Sequence, residues 1–404
     1  MVAPLSSSLH QFPIRSLTRN IVRNMSAVQS PKDLKFISVE GADIYSRSKS
    51  DGIRFRFVSY NILAQVYVKS SFFPHSPSSC LKFVLLLSLS IDIVKCTCMM
   101  KLYLFSEMRV MAECQEVDEY DSFYKGNLER CGYSSLYIQR SGQKRDGCGI
   151  FFKHEKAELI VEDRIEYNDL VGSVQDDSGS CEDKSVDVVT SASNDVESNK
   201  GSSPKTTVAD RGDPNDPRVR LKRDCVGIMA AFKLEQPFHH VVIVANTHLY
   251  WDPEWADVKL AQAKYLLSRL ARFKSLVAEK FECTPSVLLA GDFNSTPGDK
   301  VYEYLVSGNS SSGFSPECLD QELPLPLSSV YDNILGSEPS FTNFTPGFTG
   351  TLDYIFFSPS DFIRPISFLE LPESEWPEII GGLPNHSYPS DHLPIAAEFE
   401  ITME

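Results

Sequence analysis

The 404-residue sequence contains no uninterrupted apolar run as long as a membrane-spanning helix. Its most apolar segment, around residues 84–87, is followed by Asp92, Lys95 and Lys101, whereas a spanning helix needs about 18 residues with few or no charges. The apolar core of a signal peptide is absent, and none of the ten cysteines forms a C-x-x-C pair. We therefore expect no membrane segment, no secretion and no structural zinc site, with the cysteines reduced in an intracellular protein.

Basic residues are scarcer than acidic residues, so the chain carries a formal net charge of −15. This charge disfavours a sequence-independent coat on nucleic acid, which depends on neutralising phosphates. A substrate phosphate would need a metal ion or a local basic patch. Much of the negative charge lies in residues 168–217, which are rich in Ser, Asp, Asn and Val and poor in aromatic residues. We expect this segment to be a disordered insertion within one domain, because it cannot bury enough apolar surface to fold.

The first 32 residues contain no acidic residue. Arg15, Arg19 and Arg23 recur every four positions among serines and apolar residues, a pattern typical of organelle transit peptides. We expect residues 1–50 to be a disordered leader that directs import into mitochondria or plastids. The alternative, a disordered tail without a targeting role, would leave the protein in the cytoplasm and nucleus. Residues 51–402 then form a single folded domain.

Hydrophobic periodicity in this domain predicts alternating strands and helices. Apolar runs at residues 241–244 and 287–290 are typical of buried strands, and the alternation of residues 54–59 predicts another strand. Between the two buried runs, apolar residues recur every three or four positions and indicate an amphipathic helix: Leu260, Ala263, Leu267, Leu270, Phe273 and Val277. This order predicts an α/β layer with polar strand ends along one rim.

Polar side chains occur where these strands end or begin. Gly291 closes the strand at residues 287–290, and Asp292 and Asn294 then project to the same side. Taken singly, an Asp or Asn at such a position is also explained by a turn, and a His by a structural role. Their repetition at several strand ends favours one shared site. The other candidates are Asn61, Glu116, His248, Asp353, Asp391 and His392.

These residue types suit the hydrolysis of a phosphodiester. Carboxylates such as Glu116 can hold a divalent metal that offsets charge on the non-bridging oxygens. Asp292 is placed to activate or orient water. The neutral amides of Asn61 and Asn294 can hold that carboxylate or the phosphate without adding negative charge. An imidazolium kept charged by a buried carboxylate can stabilise the transition state, and His392 is the candidate.

Six short motifs, in this order, resemble the endonuclease/exonuclease/phosphatase superfamily: Ser59-Tyr60-Asn61, Gln115-Glu116-Val117, Thr247-His248-Leu249, Gly291-Asp292-Phe293-Asn294, Leu352-Asp353-Tyr354 and Ser390-Asp391-His392. Within it, the chain is most similar to the carbon catabolite repressor-type deadenylases, with the nocturnin and angel proteins nearby. The discriminating pieces are residues 61–64, 248–253 and 257–259. The resemblance implies an α/β fold, a four-layer sandwich with two mixed β-sheets flanked by helices.

The resemblance also implies roles for individual residues. The metal side would comprise the main Mg²⁺ ligand and two neighbours, with Mn²⁺ able to substitute: Glu116, Asn61 and Asp391. The catalytic residues would orient the attacking water, hold the phosphate or stabilise the transition state: Asp292, Asn294, His248 and His392, with Asp353 orienting His392. Pro253 and Phe348 match the proline and phenylalanine that sandwich the adenine base in deadenylases.

The implied function is a Mg²⁺-dependent 3′→5′ exoribonuclease that shortens poly(A) tails and releases 5′-AMP. Its partner would be poly(A) RNA or an adenine nucleotide. Deadenylase-complex proteins are a further candidate partner, although the sequence shows no leucine-rich repeats through which to dock to them. One alternative is a phosphatase acting on the 2′-phosphate of NADP(H). An alternative of another class is a catalytically impaired RNA-binding or scaffold protein.

Residues 83–114 depart from the family pattern. There the family has an amphipathic helix and then an apolar strand that leads to the Gln-Glu pair, and this segment shows neither pattern. It resembles translated non-coding sequence, so we hypothesise a variant gene model with an aberrant segment. If so, the strand that positions Glu116 would not have its proper sequence, and metal affinity would be lost with it. This departure motivates the scaffold alternative.

Overall fold

The computed structural model describes residues 35–39, 52–81, 111–172, 213, 215–234, 239–307, 325–359 and 362–402. The strands in this part of the chain are β1 (Phe36–Ser38), β2 (Ile53–Asn61), β3 (Met111–Gln115), β4 (Tyr133–Gln139), β5 (Gly147–Lys153), β6 (Ala157–Glu166), β7 (Val226–Leu234), β8 (His240–His248), β9 (Ser286–Asp292), β10 (Ser328–Ser329), β11 (Asn343–Thr345), β12 (Phe348–Gly350), β13 (Asp353–Phe357), β14 (Ile363–Leu369) and β15 (Ile395–Ile401). The α-helices are α1 (Lys125–Arg130), α2 (Pro217–Arg220), α3 (Ala256–Phe281), α4 (Lys300–Val306) and α5 (Val330–Leu335).

Two large sheets form the centre of the domain. The first has the order β1-β14-β15-β2-β3-β5-β4, and the second has the order β10-β13-β9-β8-β7-β6. Both are mixed, because β2 and β3 run parallel in the first and β8 and β9 run parallel in the second, while their other neighbours are antiparallel. In each sheet, the carboxyl ends of one parallel pair therefore reach the same edge.

The main hydrophobic core lies between the two sheets. Phe57 on β2 and Ile150 on β5 belong to one buried cluster with Phe232 on β7 and Leu288 on β9. Removing this apolar surface from water is the driving force that holds the sheets face to face.

Helices cover the outer faces of both sheets. On the second sheet, Leu267 of α3 packs with Ile243 and Leu289. On the first sheet, Leu128 of α1 packs with Val58. The order helix, sheet, sheet, helix confirms the predicted four-layer α/β sandwich.

The predicted amphipathic helix is α3, which connects β8 to its parallel neighbour β9. Its apolar stripe is buried as the periodicity indicates, although Leu260 is only partly buried: Ala263, Leu267, Leu270, Phe273 and Val277. The helix ends at Phe281. The next residue, Glu282, adopts a left-handed conformation, and the Cys283 N–H donates to the Ala278 carbonyl. Among the described helices, none combines the length and the apolar character needed to cross a membrane.

The boundary of the predicted leader is wrong at β1. Residues 36–38 lie inside the predicted leader of residues 1–50, yet they form an edge strand that pairs antiparallel with β14. The Phe36 ring lies under the Arg56 guanidinium at 4.2 Å, which anchors the strand to the sheet. Residues 1–34, which carry the arginine repeat, lie outside the described residues.

The expectation of an aberrant segment at residues 83–114 is wrong at its end. Residues 111–114 belong to β3, which is fully buried and pairs with both β2 and β5. The sequence pattern does not predict this strand, because the Glu113 carboxylate interrupts an otherwise apolar run. Met111 still faces the inter-sheet core, while Ala112 and Cys114 face the outer one. The remainder of the segment, residues 83–110, lies outside the described residues.

The two ends of the predicted insertion, residues 168–217, are structured. Asn168 accepts the Asp224 N–H at 3.0 Å and donates to the Asp224 carboxylate at 2.9 Å. Asp216 caps α2. Because Glu166 on β6 pairs with Val226 on β7, the segment leaves and returns at one edge of the second sheet. Residues 173–212, the greater part of the insertion, lie outside the described residues.

Candidate active site

Both sheets contribute strand ends to one rim. In the first sheet β2 ends at Asn61, and Glu116 follows β3; in the second sheet β8 ends at His248 and β9 at Asp292. Asn61 Nδ2 donates to Asp292 Oδ2 at 3.0 Å and lies 3.3 Å from Glu116 Oε1. A hydrogen bond from one sheet to the other therefore joins the two halves of the rim.

A buried polar bridge lies directly beneath this rim. Gln115 Nε2 donates to Asn246 Oδ1 at 2.7 Å across the gap between the sheets. Asn246 Nδ2 in turn donates to the Cys114 and Gly149 carbonyls, both at 2.9 Å. Because these groups are out of reach of water, their hydrogen bonds fix how the two sheets are aligned at the site.

Gly291 allows β8 and β9 to approach closely just before Asp292. Its φ is +145°, and a Cβ atom there would lie 2.0 Å from the Thr247 carbonyl oxygen. A larger residue would push the two strands apart. The position of the Asp292 carboxylate next to His248 thus depends on a glycine one residue earlier.

Glu116 turns into the cavity from a left-handed backbone conformation, with φ +58°. Its Oε2 accepts the Ala64 N–H at 2.9 Å. Burial, together with the nearby charges of Asp391 and Asp146, raises the pKa of Glu116 to about 8. The Glu116 carboxylate is therefore desolvated and lies close to two other acidic groups.

This negative cluster fits a divalent cation. Glu116 and Asp391 both line the same cavity, and each offers hard carboxylate oxygens. A cation held there would stabilise the ionised form of Glu116, whose raised pKa shows that its charge is poorly compensated by protein groups alone. The predicted neighbour Asn61 uses its Oδ1 to accept the Leu63 N–H at 3.0 Å, so its contribution is to hold the carboxylates.

Asp353, His392 and Asp292 form a second cluster, with one possible ligand atom from each within 4.8 Å of the others. His392 Nδ1 lies 2.7 Å from Asp353 Oδ2, which also accepts the Thr342 hydroxyl at 2.6 Å. Burial alone would lower the pKa of His392, but the charges of Asp353 and Asp292 outweigh it and raise that pKa well above its usual value. A protonated imidazole cannot ligate a metal, so we interpret this cluster as an oriented imidazolium.

His248 lies on the other side of Asp292, with its Nε2 3.5 Å from Asp292 Oδ2. Burial lowers the pKa of His248, although the Asp292 charge opposes the shift. His248 Nδ1 is buried and has no hydrogen-bond partner in the described part of the chain. His248 thus presents a neutral ring, whereas His392 presents a charged one.

Asp292 is held by its immediate neighbours in the loop after β9. Its Oδ1 accepts the Asn294 N–H at 2.9 Å, which requires the left-handed conformation of Asn294 at φ +49°. The Asn294 side-chain amide donates to the Leu249 carbonyl at 3.0 Å, so one of its two N–H bonds is already used. Burial raises the pKa of Asp292, while the two histidines lower it.

All of these groups converge on a single cavity of about 1,100 Å³. Six of the predicted catalytic and metal-binding residues line it: Glu116, His248, Asp292, Asn294, Asp391 and His392. Asn61 and Asp353 are buried and bond to those that do. Pro253 and Phe348 line the same cavity, and the Phe348 side chain is 43% exposed. The structure therefore brings every predicted site residue into one place.

Sequence reasoning missed the supporting residues. Thr342 fixes Asp353, Asn343 lies 3.4 Å from the Asp391 carboxylate, and Lys259 donates to the Asn294 carbonyl at 2.6 Å. Thr342 directly precedes the small β11-β12 hairpin and Asn343 is its first residue. Neither carries a local signal, because the sheets bring their partners to them. Lys259 could have been suspected, since it interrupts the buried face of α3 and is itself buried.

The fold and the site define a member of a class of metal-dependent phosphoester hydrolases. Residues 114–392 match the model described as the Endonuclease/Exonuclease/phosphatase family, and the chain belongs to that family. Among particular proteins, it is 53% identical to "Carbon catabolite repressor protein 4 homolog 4" of Arabidopsis thaliana over 99% of both chains. It is 32% identical to the "Probable CCR4-Not complex 3'-5'-exoribonuclease subunit Ccr4" of Vairimorpha ceranae, over 71% of this chain and 54% of that protein.

Solved structures share the fold at lower identity. The crystal structure of ANGEL2, described as a 2′,3′-cyclic phosphatase, superposes with a TM-score of 0.62 and 23% identity, covering 92% of this chain and 99% of that one. The human nocturnin catalytic domain superposes with a TM-score of 0.56 and 20% identity, covering 93% of this chain and 100% of that one. At these identities, the likeness establishes the architecture.

Proposed function

We propose that this protein is a Mg²⁺-dependent 3′→5′ exoribonuclease that removes adenylate from poly(A) and releases 5′-AMP. One observation supports the proposal. The Glu116 carboxylate, the charged imidazole of His392 and the exposed ring of Phe348 line the same cavity. The Ccr4 subunits that the chain resembles are described as 3′-5′-exoribonucleases, although it spans about half of their length.

When bound, Mg²⁺ would supply positive charge to the non-bridging phosphate oxygens, with Glu116 and Asp391 as its protein ligands. Asp292 orients the attacking water and accepts its proton, which its raised pKa favours. The Asn294 N–H and the Asn61 amide keep that carboxylate in place. His392 donates from its charged ring to the phosphate as negative charge develops.

The adenine base would stack between Pro253 and Phe348. Both residues line the cavity that contains Asp292 and His392, and both are exposed at its surface. Stacking of this kind is worth about 1–3 kcal/mol per base. It would favour adenine through ring overlap, while the phosphate lies at the carboxylates.

Turnover of defined substrates tests this proposal. Purified chain with Mg²⁺ is expected to hydrolyse oligoadenylate much faster than oligocytidylate or the 2′-phosphate of NADPH, and EDTA is expected to stop the reaction. Asp292→Asn keeps the side-chain shape and is expected to lower kcat by about 10²–10⁴. The matched variant Asp332→Asn, at an exposed position on α5, should leave kcat unchanged.

Three outcomes would contradict the proposal. Preference for NADPH would support the 2′-phosphatase alternative, which the same adenine stack can accommodate. Binding of oligoadenylate without turnover, in the presence of either Mg²⁺ or Mn²⁺, would support the scaffold alternative. Turnover that survives Asp292→Asn would come from a contaminating enzyme.

We further propose that the acid-free segment of residues 1–32 directs the protein to mitochondria or plastids. The arginines at every fourth position would form the basic face of an import helix. The test is the location of the full chain fused at its C-terminus to a fluorescent protein, compared with a triple Arg15→Glu, Arg19→Glu, Arg23→Glu variant. Identical cytoplasmic and nuclear fluorescence for both would reject import.

A further inference from the structure

A strip of basic and aromatic side chains leads away from the cavity. We define the basic strip as the loop between β4 and β5 (residues 140–146), residues 218–224 and residues 250–255. Arg140, Lys144 and Trp251 belong to it and line the cavity itself. The Lys144 ammonium group lies 5.9 Å from the centre of the Tyr67 ring, on the same wall.

The first two parts of the basic strip are bonded to each other. Arg140 Nε donates to the Asp224 carbonyl at 3.0 Å, and the Ser141 hydroxyl donates to the Asp224 carboxylate at 3.0 Å. The Arg140 guanidinium is held in addition by buried Asp146 at 3.4 Å. Asp224, the last residue of the second part, is therefore bonded directly to the loop that lines the cavity, although it follows the long insertion in sequence.

Aromatic rings connect the second part to the third. Two guanidinium groups pack over the Trp255 ring, that of Arg223 at 4.0 Å and that of Arg220 at 4.1 Å. Arg223 also lies 5.3 Å from the Tyr250 ring. The neighbouring Trp251 is left with 62% of its surface exposed at the cavity mouth.

The charge of the basic strip contrasts with that of the whole chain, which is −15. The basic strip contains seven basic residues and four acidic ones: Arg140, Lys144, Arg145, Arg218, Arg220, Lys222 and Arg223, against Asp146, Asp224, Asp252 and Glu254. Arg145 and Lys222 are exposed. A local concentration of positive charge beside a phosphate-hydrolysing cavity is expected to attract further phosphates.

We propose that the basic strip binds the single-stranded RNA that lies 5′ of the nucleotide being removed. An upstream base would stack on the exposed face of Trp251, and Lys144, Arg145 and Lys222 would contact successive phosphates. Exposed aromatic rings interleaved with basic groups form the surface that single-stranded nucleic acid requires. This inference rests on the proposed exoribonuclease function and narrows its substrate to a polynucleotide, since Lys222 and Arg145 lie outside the residues that line the cavity.

The test compares a long oligoadenylate with the dinucleotide ApA. Trp251→Ala is expected to raise KM for the long substrate roughly 5- to 100-fold, as the loss of one stacked base would. Arg145→Ala combined with Lys222→Ala should reduce the magnitude of the salt dependence, log KM against log [KCl], by about 1.4 for two lost phosphate contacts. The double variant, whose two cations lie outside the cavity lining, should not alter kcat/KM for ApA by more than about twofold.

Matched controls remove the same groups elsewhere. Leu276→Ala takes away a half-exposed apolar side chain on α3, and Arg272→Ala combined with Lys280→Ala takes away two exposed cations on the same helix. These variants should match the wild type on both substrates. If the strip variants also match the wild type on long oligoadenylate, the strip does not bind RNA. If the wild type hydrolyses neither substrate, the proposed function itself has failed.

Discussion

His248 and His392 both place Nε2 within 4 Å of the Asp292 carboxylate, at 3.5 and 3.7 Å. Burial dominates at His248 and lowers its pKa, whereas the Asp353 charge raises that of His392. One carboxylate, Asp353, thus decides which ring is charged. Two identical side chains around one acid can then act as a charged donor and as a neutral group.

Asp353→Asn tests this dependence. In the wild type, His392 stays protonated through neutral pH and loses its proton only as pH rises through its raised pKa. Without the Asp353 charge, burial opposes protonation more effectively, so the proton is lost at lower pH. We expect the ring-proton NMR titration of metal-free protein and the alkaline limb of kcat/KM to shift to lower pH together. An unchanged titration would contradict the assignment.

Glu116 illustrates a conflict between stability and function. Its folded-state pKa, about 8, is above the unfolded value of 4.5. Its contribution to stability is therefore fully present below about pH 4.5 and is lost as pH rises through about 8. Glu116→Gln is neutral at every pH, so it should raise Tm in EDTA at mildly alkaline pH.

The same substitution should remove the effect of metal. Mg²⁺ should raise the Tm of the wild type, because it binds only the folded site, and should leave Glu116→Gln nearly unchanged. Glu279→Gln, exposed on α3, is the matched control and should respond to Mg²⁺ like the wild type. A normal Mg²⁺ response of Glu116→Gln would show that other groups hold the ion.

At the scale of elements, β3 forms despite its sequence. Glu113 is fully buried between Ser59 of β2 and Ile150 of β5, and neither carboxylate oxygen has a hydrogen-bond partner among the described residues. Burial raises the pKa of Glu113 well above its usual value, so its carboxyl group is protonated and neutral in the folded protein. Pairing with strands on both sides outweighs the local preference of the sequence.

Glu113→Leu is therefore expected to stabilise the protein, by about 1–3 kcal/mol in urea unfolding. The gain should grow as pH rises, because ionisation of Glu113 favours the unfolded chain above its usual pKa. Glu129→Leu, exposed on α1, is the control and should change stability by less than about 0.5 kcal/mol. A loss of stability in Glu113→Leu would indicate that this carboxyl group has a partner.

At the scale of the whole molecule, the site exists because two sheets are held in alignment. Each sheet supplies one parallel pair of strands, and Gln115 and Asn246 join these pairs beneath the cavity at 2.7 Å. The Glu116 half of the site belongs to the first sheet, and the Asp292 half belongs to the second. Alignment of the sheets is thus a condition for catalysis as well as for stability.

A double-mutant cycle measures this link. Asn246→Leu should cost about 2–4 kcal/mol, because it removes the buried hydrogen bonds of the Asn246 side chain to Gln115 and to two backbone carbonyls. Gln115→Leu should cost less, and the double variant less than the sum, with a coupling of about 0.5–3 kcal/mol. Mg²⁺ affinity should fall with Asn246→Leu. Additive free energies of unfolding would show that the bridge does not couple the sheets.

The sequence contains enough local periodicity and short motifs to predict the strands with regular apolar patterns, the helix α3 and the residues that meet around the cavity. It could not predict β1 or β3, whose stability comes from neighbouring strands distant in the chain. Likewise, Thr342 has no local signal. The cluster of Arg140, Lys144 and Arg145 is visible in the sequence, but the other parts of the basic strip join it only in the folded chain. Which histidine is charged and which strand ends share a cavity also depend on folding, since both follow from burial and from contacts between residues far apart in sequence.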